Sequence, residues 1–311
     1  MKSNSIKVIA PATVSNVGPG FDIMGFAINT PVEEMTVRIS DKPGIRILKI
    51  SGDKSGLPFD IKKNTAAVAV TKMLASLKLK IGVEIEIRKM IISGSGLGSS
   101  AASAVAAPVA LNELLDRPFT KQELMEFALE GEKVASGSIH ADNVAPCLFG
   151  GFILIRGYKP MDIIPLSYPK KLFCTVLHPQ FAIKTSDARK LIRKNYPLKE
   201  VVAQAGNAGG LIAGLLKSDY DLIRRSMNDL IAEPARAKLI PGFYKIKEAA
   251  LNAGAVGCSI SGSGPAVFAF CTSENDAEKI GRVMKKISSE FVKKNMIYIS
   301  NINSTGPRVI G

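Results

Sequence analysis

The sequence has no tryptophan, two histidines and only four cysteines among its 311 residues. A disulfide framework or a zinc site needs cysteines or histidines in groups at characteristic short spacings. Here Cys147, Cys174, Cys258 and Cys271 lie singly inside apolar stretches. We therefore expect four buried free thiols, as is usual in a reducing cytoplasm.

Long hydrophobic runs are also missing. No apolar run approaches the about 20 residues of a membrane-spanning helix. The first residues, MKSNSIKVIAPA, lack the hydrophobic region of a signal peptide. The sequence thus predicts no membrane partner and a cytoplasmic location.

Acidic residues are outnumbered, and the formal net charge is +14. The basic residues are nevertheless dispersed, with no run longer than pairs such as Lys285-Lys286, and aromatic residues make up only 6% of the chain. This is not the pattern of a nucleic-acid-binding module, so we expect no nucleic-acid partner. A positive field of this kind also attracts an anionic nucleotide.

The chain is long enough for two domains, and its hydrophobic fraction of 46% indicates an ordered globular protein. Proline and lysine accumulate without periodicity near residues 165–171, which predicts a boundary there. We expect an N-terminal domain at 1–168 and a C-terminal domain at 169–311.

A strand, a glycine-rich loop and a helix of small residues follow one another in the centre of the first domain. The strand is predicted at 83–90, the loop contains Gly94, Gly96 and Gly98, and the helix begins near Ser99 and Ser100. Glycine N–H groups and a helix N-terminus together favour an anion, most plausibly phosphate. No lysine follows the glycines, and the dinucleotide fingerprint fails at Ser99. A plain connector remains the alternative.

Other patterns place the flanking elements. Strands at 35–40 and 45–51 predict a hairpin around the turn at 41–44. Asn64 is typical of a helix N-cap, and Thr120 with Glu123 forms a capping box. The helix after Thr120 places Glu132 beside its apolar face, where a carboxylate suits a site.

Polar residues cluster at several further points. Asn16 and Asp22 lie among prolines and glycines, which also fits simple turn formation. His140, Asp142 and Asn143 precede an apolar strand, although His140 equally suits a hydrogen-bonding turn.

The second domain adds arginines and a further glycine loop. An arginine beside proline-constrained backbone, such as Arg236 near Pro234, can present a fixed fork to a carboxylate, with surface salt bridges as the alternative. The loop holds Gly262 and Ser263. Helices and loops of this order favour an α+β layer structure.

Three motifs taken together resemble the GHMP small-molecule kinases over nearly the whole chain. They are PATVSNVGPGFDIMGFA, GLGSSAA at 96–102 and SGSGPAVFA at 261–269. The segments at 131–132, 136–146 and 233–242 are further similar to the members of that family that phosphorylate L-homoserine. One departure is Ile92, which stands where the family usually has a proline before the second motif. The resemblance implies a ribosomal-protein-S5-domain-2-like N-terminal domain and a ferredoxin-like C-terminal α/β sandwich.

The resemblance also implies roles for individual residues. Ser100 and Glu132 would hold Mg²⁺, and Asn64 would lie near the adenine. The loop that cradles the ATP phosphates would comprise Gly94, Ser95, Gly96, Leu97, Gly98, Ser99 and Ser100. Around the acceptor, Asn16 and Asp22 would take the ammonium group, Arg189 and Arg236 the carboxylate, while Gly262 and Ser263 close that side.

The implied reaction is ATP-dependent phosphorylation of the L-homoserine hydroxyl in threonine biosynthesis, by a homodimeric enzyme. Several GHMP kinases place an aspartate base beside the acceptor, but the matching residue here is Asn143. We expect Asn143 to orient the hydroxyl for direct in-line attack, with His140 lining the same site and Asp142 diverging from it. A GHMP kinase for mevalonate, shikimate or a sugar is the alternative.

Overall fold

A computed structural model describes residues 4–52 and 55–310 of the chain. The strands of the N-terminal part are β1 (Ser5–Ser15), β2 (Met24–Ser40), β3 (Gly44–Ser51), β4 (Gly82–Lys89), β5 (Phe152–Tyr158) and β6 (Met161–Leu166). Its helices are α1 (Thr65–Ser76), α2 (Ser99–Leu114), α3 (Lys121–Ser136) and α4 (Ala141–Phe149).

The C-terminal part begins with β7 (Phe173–Pro179) and contains β8 (Gly257–Ile260), β9 (Val267–Cys271), β10 (Asn295–Asn301) and β11 (Arg308–Val309). Its helices are α5 (Thr185–Lys190), α6 (Leu198–Lys217), α7 (Tyr220–Ser226), α8 (Glu233–Arg236), α9 (Phe243–Asn252) and α10 (Glu274–Ser288). A short 3₁₀ helix follows α8 at Ala237–Leu239.

The first sheet has the order β11-β1-β2-β4-β3, with β5 paired to β2 and β6 paired to β5. The predicted hairpin of β2 and β3 is wrong, because β4 lies between them and pairs with β3 in parallel. The physical reason is burial. Val83, Ile85 and Ile87 of β4 are buried, which suits a central strand, whereas Leu48 of β3 is exposed at the sheet edge. The segment with α1 supplies the crossover that parallel neighbours require.

The second sheet is antiparallel, in the order β10-β7-β9-β8. Phe26 and Phe152 of the first sheet stack with ring centroids 4.7 Å apart, and Phe270 of the second lies 5.3 Å from Phe26. One apolar core therefore joins the two sheets, as an α+β layer structure requires. The strand β11 returns to pair with β1. The domain limits of 1–168 and 169–311 stay a prediction, and their outermost residues, 1–3 and 311, lie outside the described chain.

Several local predictions are confirmed. The Asn64 side chain caps α1 by accepting hydrogen bonds from two backbone N–H groups, and Thr120 and Glu123 form the expected capping box on α3. All four cysteines are buried and free. Burial raises the pKa of each thiol, so we expect them to be unreactive.

His178 on β7 is fully buried, with its Nδ1 3.1 Å from the side-chain amide of Gln180. Burial lowers the pKa of His178 to about 4, against a smaller opposing effect of a backbone hydrogen bond at Phe181. The folded protein therefore holds this histidine neutral at a pH where the unfolded chain would protonate it.

This histidine predicts acid sensitivity. Stability is fully present above the ordinary histidine pKa of about 6.5 and is lost as pH falls toward 4, because only the unfolded state binds the proton in this window. We expect His178→Leu to remove about 3 kcal/mol of pH dependence between those limits. Urea unfolding at pH values from 4 to 7.5 measures it, and equal slopes for both proteins would contradict the assignment.

Candidate active site

A cleft of about 650 Å³ lies between the N-terminal and C-terminal parts of the chain. With one exception, every residue that the sequence predicts for a site lines it, namely Asn16, Asp22, Asn64, Gly94, Ser95, Gly96, Gly98, Ser99, Ser100, Glu132, His140, Asn143, Arg189, Arg236, Gly262 and Ser263. The exception is Leu97, whose side chain is buried in the core while its carbonyl accepts a hydrogen bond from the backbone N–H of Thr13. Leu97 thus ties the loop to β1.

The glycine loop has a backbone that only glycine adopts without strain at several positions. Gly96 and Gly98 have φ values of 84° and 65°, and Gly98 directly precedes α2 without a side-chain cap. A Cβ on Gly96 would lie 2.4 Å from the carbonyl oxygen of Ser261. Gly98, Ser99 and Ser100 line the cleft, so the N–H groups that the first turn of a helix leaves unpaired offer a suitable site for phosphate oxygens there.

Gly98 gives a direct test of the loop. A Cβ there would lie 2.0 Å from Thr13 Oγ1, so we expect Gly98→Ala to cost about 2 kcal/mol of unfolding free energy and to weaken nucleotide binding. Gly157→Ala is the matched control, because its added Cβ would meet its nearest atom at an ordinary 3.4 Å. Thermal unfolding and ADP titration compare the two, and similar behaviour would contradict the prediction.

Ile92 lies just upstream, in the position where a proline was expected. Its side chain is 38% exposed and its carbonyl accepts a hydrogen bond from the N–H of Ser95. The Ser99 hydroxyl donates to the carbonyl of Ile91 at 2.8 Å. The turn is thus closed by hydrogen bonds without a proline ring.

A hydrogen-bonded group of three polar side chains lies beside the glycine loop. The Ser100 hydroxyl donates to Glu132 Oε1 at 3.1 Å, and His140 Nδ1 lies 3.5 Å from the same oxygen. Burial alone lowers the pKa of His140, but the hydrogen bond to Glu132 and the negative charges of Asp142 and Glu132 raise it overall. Ser100 of α2, Glu132 of α3 and His140, which precedes α4, therefore meet in one place.

Asn64 lines the cleft and also has a structural role. Its Oδ1 caps α1 and its Nδ2 donates to the carbonyl of Pro58 at 2.9 Å. A contact with adenine stays a prediction for this residue.

The opposite end of the cleft carries an ion pair. Arg189 donates to both carboxylate oxygens of Asp22, at 2.7 and 2.8 Å, and the Asp22 N–H donates to Asn16 Oδ1. Both Asn16 and Asp22 have positive φ, so the turn-forming alternative also holds. The ring of Phe21 lies under both arginines, 5.6 Å from the guanidinium carbon of Arg189 and 5.1 Å from that of Arg236.

Arg236 is almost completely buried and donates to the carbonyl of Gly262 at 2.7 Å. Ser263 Oγ lies 3.4 Å from Thr185 Oγ1 across the same end of the cleft. Burial lowers the pKa of Arg236, although the guanidinium stays protonated at neutral pH. Among the described residues, Nε of Arg189 and Nε of Arg236 are both buried without a hydrogen-bond partner.

Asn143 and Asp142 both line the cleft, so the expected divergence of Asp142 is wrong. The segment is the helix α4, which the sequence interpretation missed because Pro146 interrupts its pattern. Both residues lie in the first turn of this helix and line the cleft. Asn143 accepts from Thr13 Oγ1 at 2.8 Å and donates to Ser15 Oγ at 2.9 Å. Burial and the charge of Asp22 raise the pKa of Asp142 to about 6.

Comparison with known proteins places this cleft in a family. Residues 64–151 match the model of the GHMP kinases N terminal domain and residues 211–288 that of the GHMP kinases C terminal. The homoserine kinase of Chlorobium phaeobacteroides is 48% identical, covering 98% of this chain and 99% of that protein. The chain belongs to the homoserine kinase group of the GHMP kinases.

Solved structures agree with this membership. The crystal structure of homoserine kinase from Cytophaga hutchinsonii matches this GHMP kinase with a TM-score of 0.97 and 51% identity, covering 100% of this chain and 98% of that one. The mevalonate kinase of L. major, solved with R-mevalonate, matches with a TM-score of 0.76 at 20% identity, covering 97% and 98% of the two chains, and shows the shared fold.

As a GHMP kinase, the chain uses ATP, and the cleft suits a hard cation beside it. Ser100 and Glu132 offer two oxygen atoms, and magnesium in phosphoryl-transfer sites commonly takes one or two protein ligands together with phosphate oxygens and water. Within residues 4–52 and 55–310, no group of three His, Cys, Asp or Glu side chains is placed to hold a metal alone. The donor set therefore fits Mg²⁺ bound with a nucleotide.

Sequence reasoning missed Lys89 and Ser103, which line this cleft, and Phe21, whose ring packs against the two arginines at its end. Lys89 shares its strand face with Val83, Ile85 and Ile87, all of them buried, so the strict alternation of β4 already placed it inward. That periodic signal could have found the lysine.

Proposed function

We propose that this chain transfers the γ-phosphoryl group of ATP to the hydroxyl of L-homoserine, forming O-phospho-L-homoserine for threonine biosynthesis. The observation that carries the acceptor assignment is the set of unpaired buried groups at one end of the cleft. Arg189 Nε and Arg236 Nε are donors without an acceptor, and Asp142 Oδ1 is an acceptor without a donor, within the described residues.

Buried polar groups in native proteins are normally paired, so such a set favours a ligand with complementary groups. An amino acid has a carboxylate for the two arginines and an ammonium group for the carboxylates of Asp22 and Asp142. A neutral sugar would leave the arginines unpaired, and mevalonate or shikimate would leave the acidic side unpaired.

The ion pair between Asp22 and Arg189 is part of this proposal. A zwitterionic acceptor replaces it with two new pairs, ammonium to Asp22 and carboxylate to Arg189, so neither of these partly exposed charges loses its partner on binding. The ion pair thereby holds Asp22 and Arg189 in an arrangement close to the one that binds the substrate.

At the other end, the glycine loop and the first turn of α2 would bind the ATP phosphates. Ser100 and Glu132 would hold Mg²⁺, which neutralises the charge of the phosphate oxygens when it is bound. The role of this chain's own residues is to position the nucleotide and the acceptor in line, because phosphoryl transfer depends chiefly on position and electrostatics.

Asn143 would orient the acceptor hydroxyl. Its amide is fixed by Thr13 and Ser15, yet an amide group can make four hydrogen bonds, so one N–H and one lone pair remain for a ligand. We propose direct attack by the hydroxyl oxygen on the γ-phosphorus, which breaks the bond to the bridging oxygen so that ADP leaves, with the hydroxyl proton passing to phosphate or water.

A coupled assay of ADP release with Mg-ATP tests the function. L-Homoserine is compared with mevalonate, shikimate, galactose and L-serine at matched concentrations. Turnover selective for L-homoserine is the expected result. Turnover with another acceptor would keep the kinase and overturn the acceptor assignment, and no turnover with any of them would overturn the proposal.

We further propose a homodimer in the cytoplasm. Three apolar residues of α6, Leu198, Val202 and Leu216, are exposed by 77%, 63% and 54%. Two copies of a chain with net charge +14 would meet there with less repulsion than elsewhere. No helix in the described part of the chain has the length and apolar character to span a bilayer. Sedimentation of the wild type and of Val202→Glu tests the dimer, which we expect the substitution to dissociate.

A further inference from the structure

A buried ion pair lies directly beneath the glycine loop and has no part in the functions assigned above. Glu33 of β2 and Lys89 of β4 are cross-strand partners and are exposed by 0% and 5%. Lys89 Nζ donates to Glu33 Oε2 at 2.5 Å, and Ser103 on α2 donates to Glu33 Oε1. A buried pair of this kind costs desolvation energy and is not explained by stability alone.

The remaining contacts of Lys89 lead to the phosphate site. Its Nζ donates to the backbone carbonyl of Ser99 at 2.8 Å and to Ser103 Oγ at 2.7 Å. Ser99 is the first residue of α2, and its own hydroxyl is tied to Ile91. The first turn of α2 is therefore held at two points of Ser99, whose carbonyl is bound by Lys89 and whose hydroxyl is bound by the carbonyl of Ile91 just after β4.

A lysine ammonium group has three hydrogen atoms and no acceptor. All three are used here, by Glu33, Ser99 and Ser103. Lys89 consequently has no donor left for a phosphate oxygen, unlike the lysine of a P-loop, which binds phosphate itself. A cation beside a helix N-terminus is also unfavourable for the helix dipole, and Glu33 offsets that cost.

We propose that Glu33, Lys89 and Ser103 are positioning residues for the phosphate-binding turn. Lys89 fixes the carbonyl of Ser99, and Glu33 and Ser103 fix Lys89, so that the N–H groups of the loop and of α2 stay directed into the cleft. The inference rests on the proposed function in one respect, namely that ATP is the ligand of this turn.

The test separates phosphate binding from nucleoside binding. The variants are Ser103→Ala and the charge-neutral double variant Glu33→Gln with Lys89→Met, which avoids leaving one buried charge alone. Calorimetric titration with ADP and with adenosine is the measurement. We expect about a 10-fold loss of ADP affinity, equal to about 1.4 kcal/mol, and no change for adenosine, which has no phosphate.

Ser288→Ala is the matched control, because it also removes a fully buried hydroxyl, one that donates to Asn295 Oδ1 at 2.7 Å. It should leave both affinities unchanged. Equal ADP affinity in Ser103→Ala and the wild type would overturn the inference. So would a parallel loss of adenosine binding, which indicates general disruption, or a loss confined to variants of Lys89, which indicates direct phosphate contact.

The ADP titration and the turnover assay together distinguish this inference from the proposed function. A wild-type protein that binds ADP but does not phosphorylate L-homoserine would overturn the acceptor assignment, while the selective loss of ADP affinity in the variants would still support the positioning role. A wild-type protein that binds no ADP would overturn both.

Discussion

Replacing Arg236 by lysine is expected to raise the KM for L-homoserine about 100-fold and to leave the KM for ATP unchanged. Arg236 is only 3% exposed, lies over the ring of Phe21 and donates to the Gly262 carbonyl. A planar guanidinium group makes all of these contacts while keeping Nε for a carboxylate. A lysine ammonium group cannot, because it is a single point charge on a flexible stem.

Steady-state kinetics with a second acceptor make the test specific. 3-Aminopropan-1-ol lacks the carboxylate, so Arg236→Lys should change its kcat/KM far less than that of L-homoserine. Arg193→Lys is the matched control, because Arg193 pairs with Glu200 at the surface and does not line the cleft. An equal loss with both acceptors would show that Arg236 does not recognise the carboxylate.

The parts of the site that are local in sequence could be predicted from it. Glycines at 94, 96 and 98 followed by two serines already indicate a phosphate loop, and the apolar periodicity of α3 places Glu132, which is buried, beside the inner face of that helix. The structure also shows which contacts hold these segments in place. The loop is fixed from below by Lys89, ten residues before Ser99, and from the side by Thr13, whose contact with Leu97 joins segments that are distant in sequence.

Two predictions from the sequence are wrong for different reasons. The hairpin at 41–44 follows from strands adjacent in the chain, yet β4 displaces β3 because its apolar face needs a central position. Tertiary packing therefore decides the strand order against the local pattern. Asp142 and Asn143 both face the cleft because they lie in the first turn of a helix whose pattern Pro146 interrupts, so a local element was missed.

The ion pair of Asp22 with Arg189 could not be predicted either, since the two residues are far apart in the chain. The resemblance to the GHMP kinases implies that they bind opposite ends of an amino acid, and this structure pairs them with each other. The two statements are compatible, because groups that bind opposite charges of a compact zwitterion must themselves lie close together.

Asn143→Ala is expected to lower kcat by about 100- to 1000-fold, the size of effect seen when one oriented hydrogen-bonding group is removed from a reacting centre. Asn143 is held by Thr13 and Ser15 and has spare hydrogen-bonding capacity toward the cleft. Thermal unfolding should show that the variant remains folded, since it loses two ordinary hydrogen bonds.

Asp142→Asn is the companion variant and should retain kcat within about 10-fold of the wild type, because we assign no proton transfer to this carboxylate. Its raised pKa of about 6 has a stability consequence of known sign. The folded state holds the proton more tightly than the unfolded chain, so stability falls as pH rises from about 4 to 6, and Asp142→Asn should remove that fall.

The pH dependence of kcat then decides between the two residues. If Asp142 accepted the proton, wild-type kcat would fall about 10-fold per pH unit below the pKa that Asp142 has in the substrate complex, and Asp142→Asn would abolish turnover while Asn143→Ala kept it. If Asn143 orients the hydroxyl and phosphate or water receives the proton, kcat does not follow the ionisation of Asp142, and the larger loss belongs to Asn143→Ala. Because an asparagine cannot accept a proton, a larger loss of kcat in Asn143→Ala than in Asp142→Asn would show that Asn143 acts by orienting the hydroxyl and not as a base.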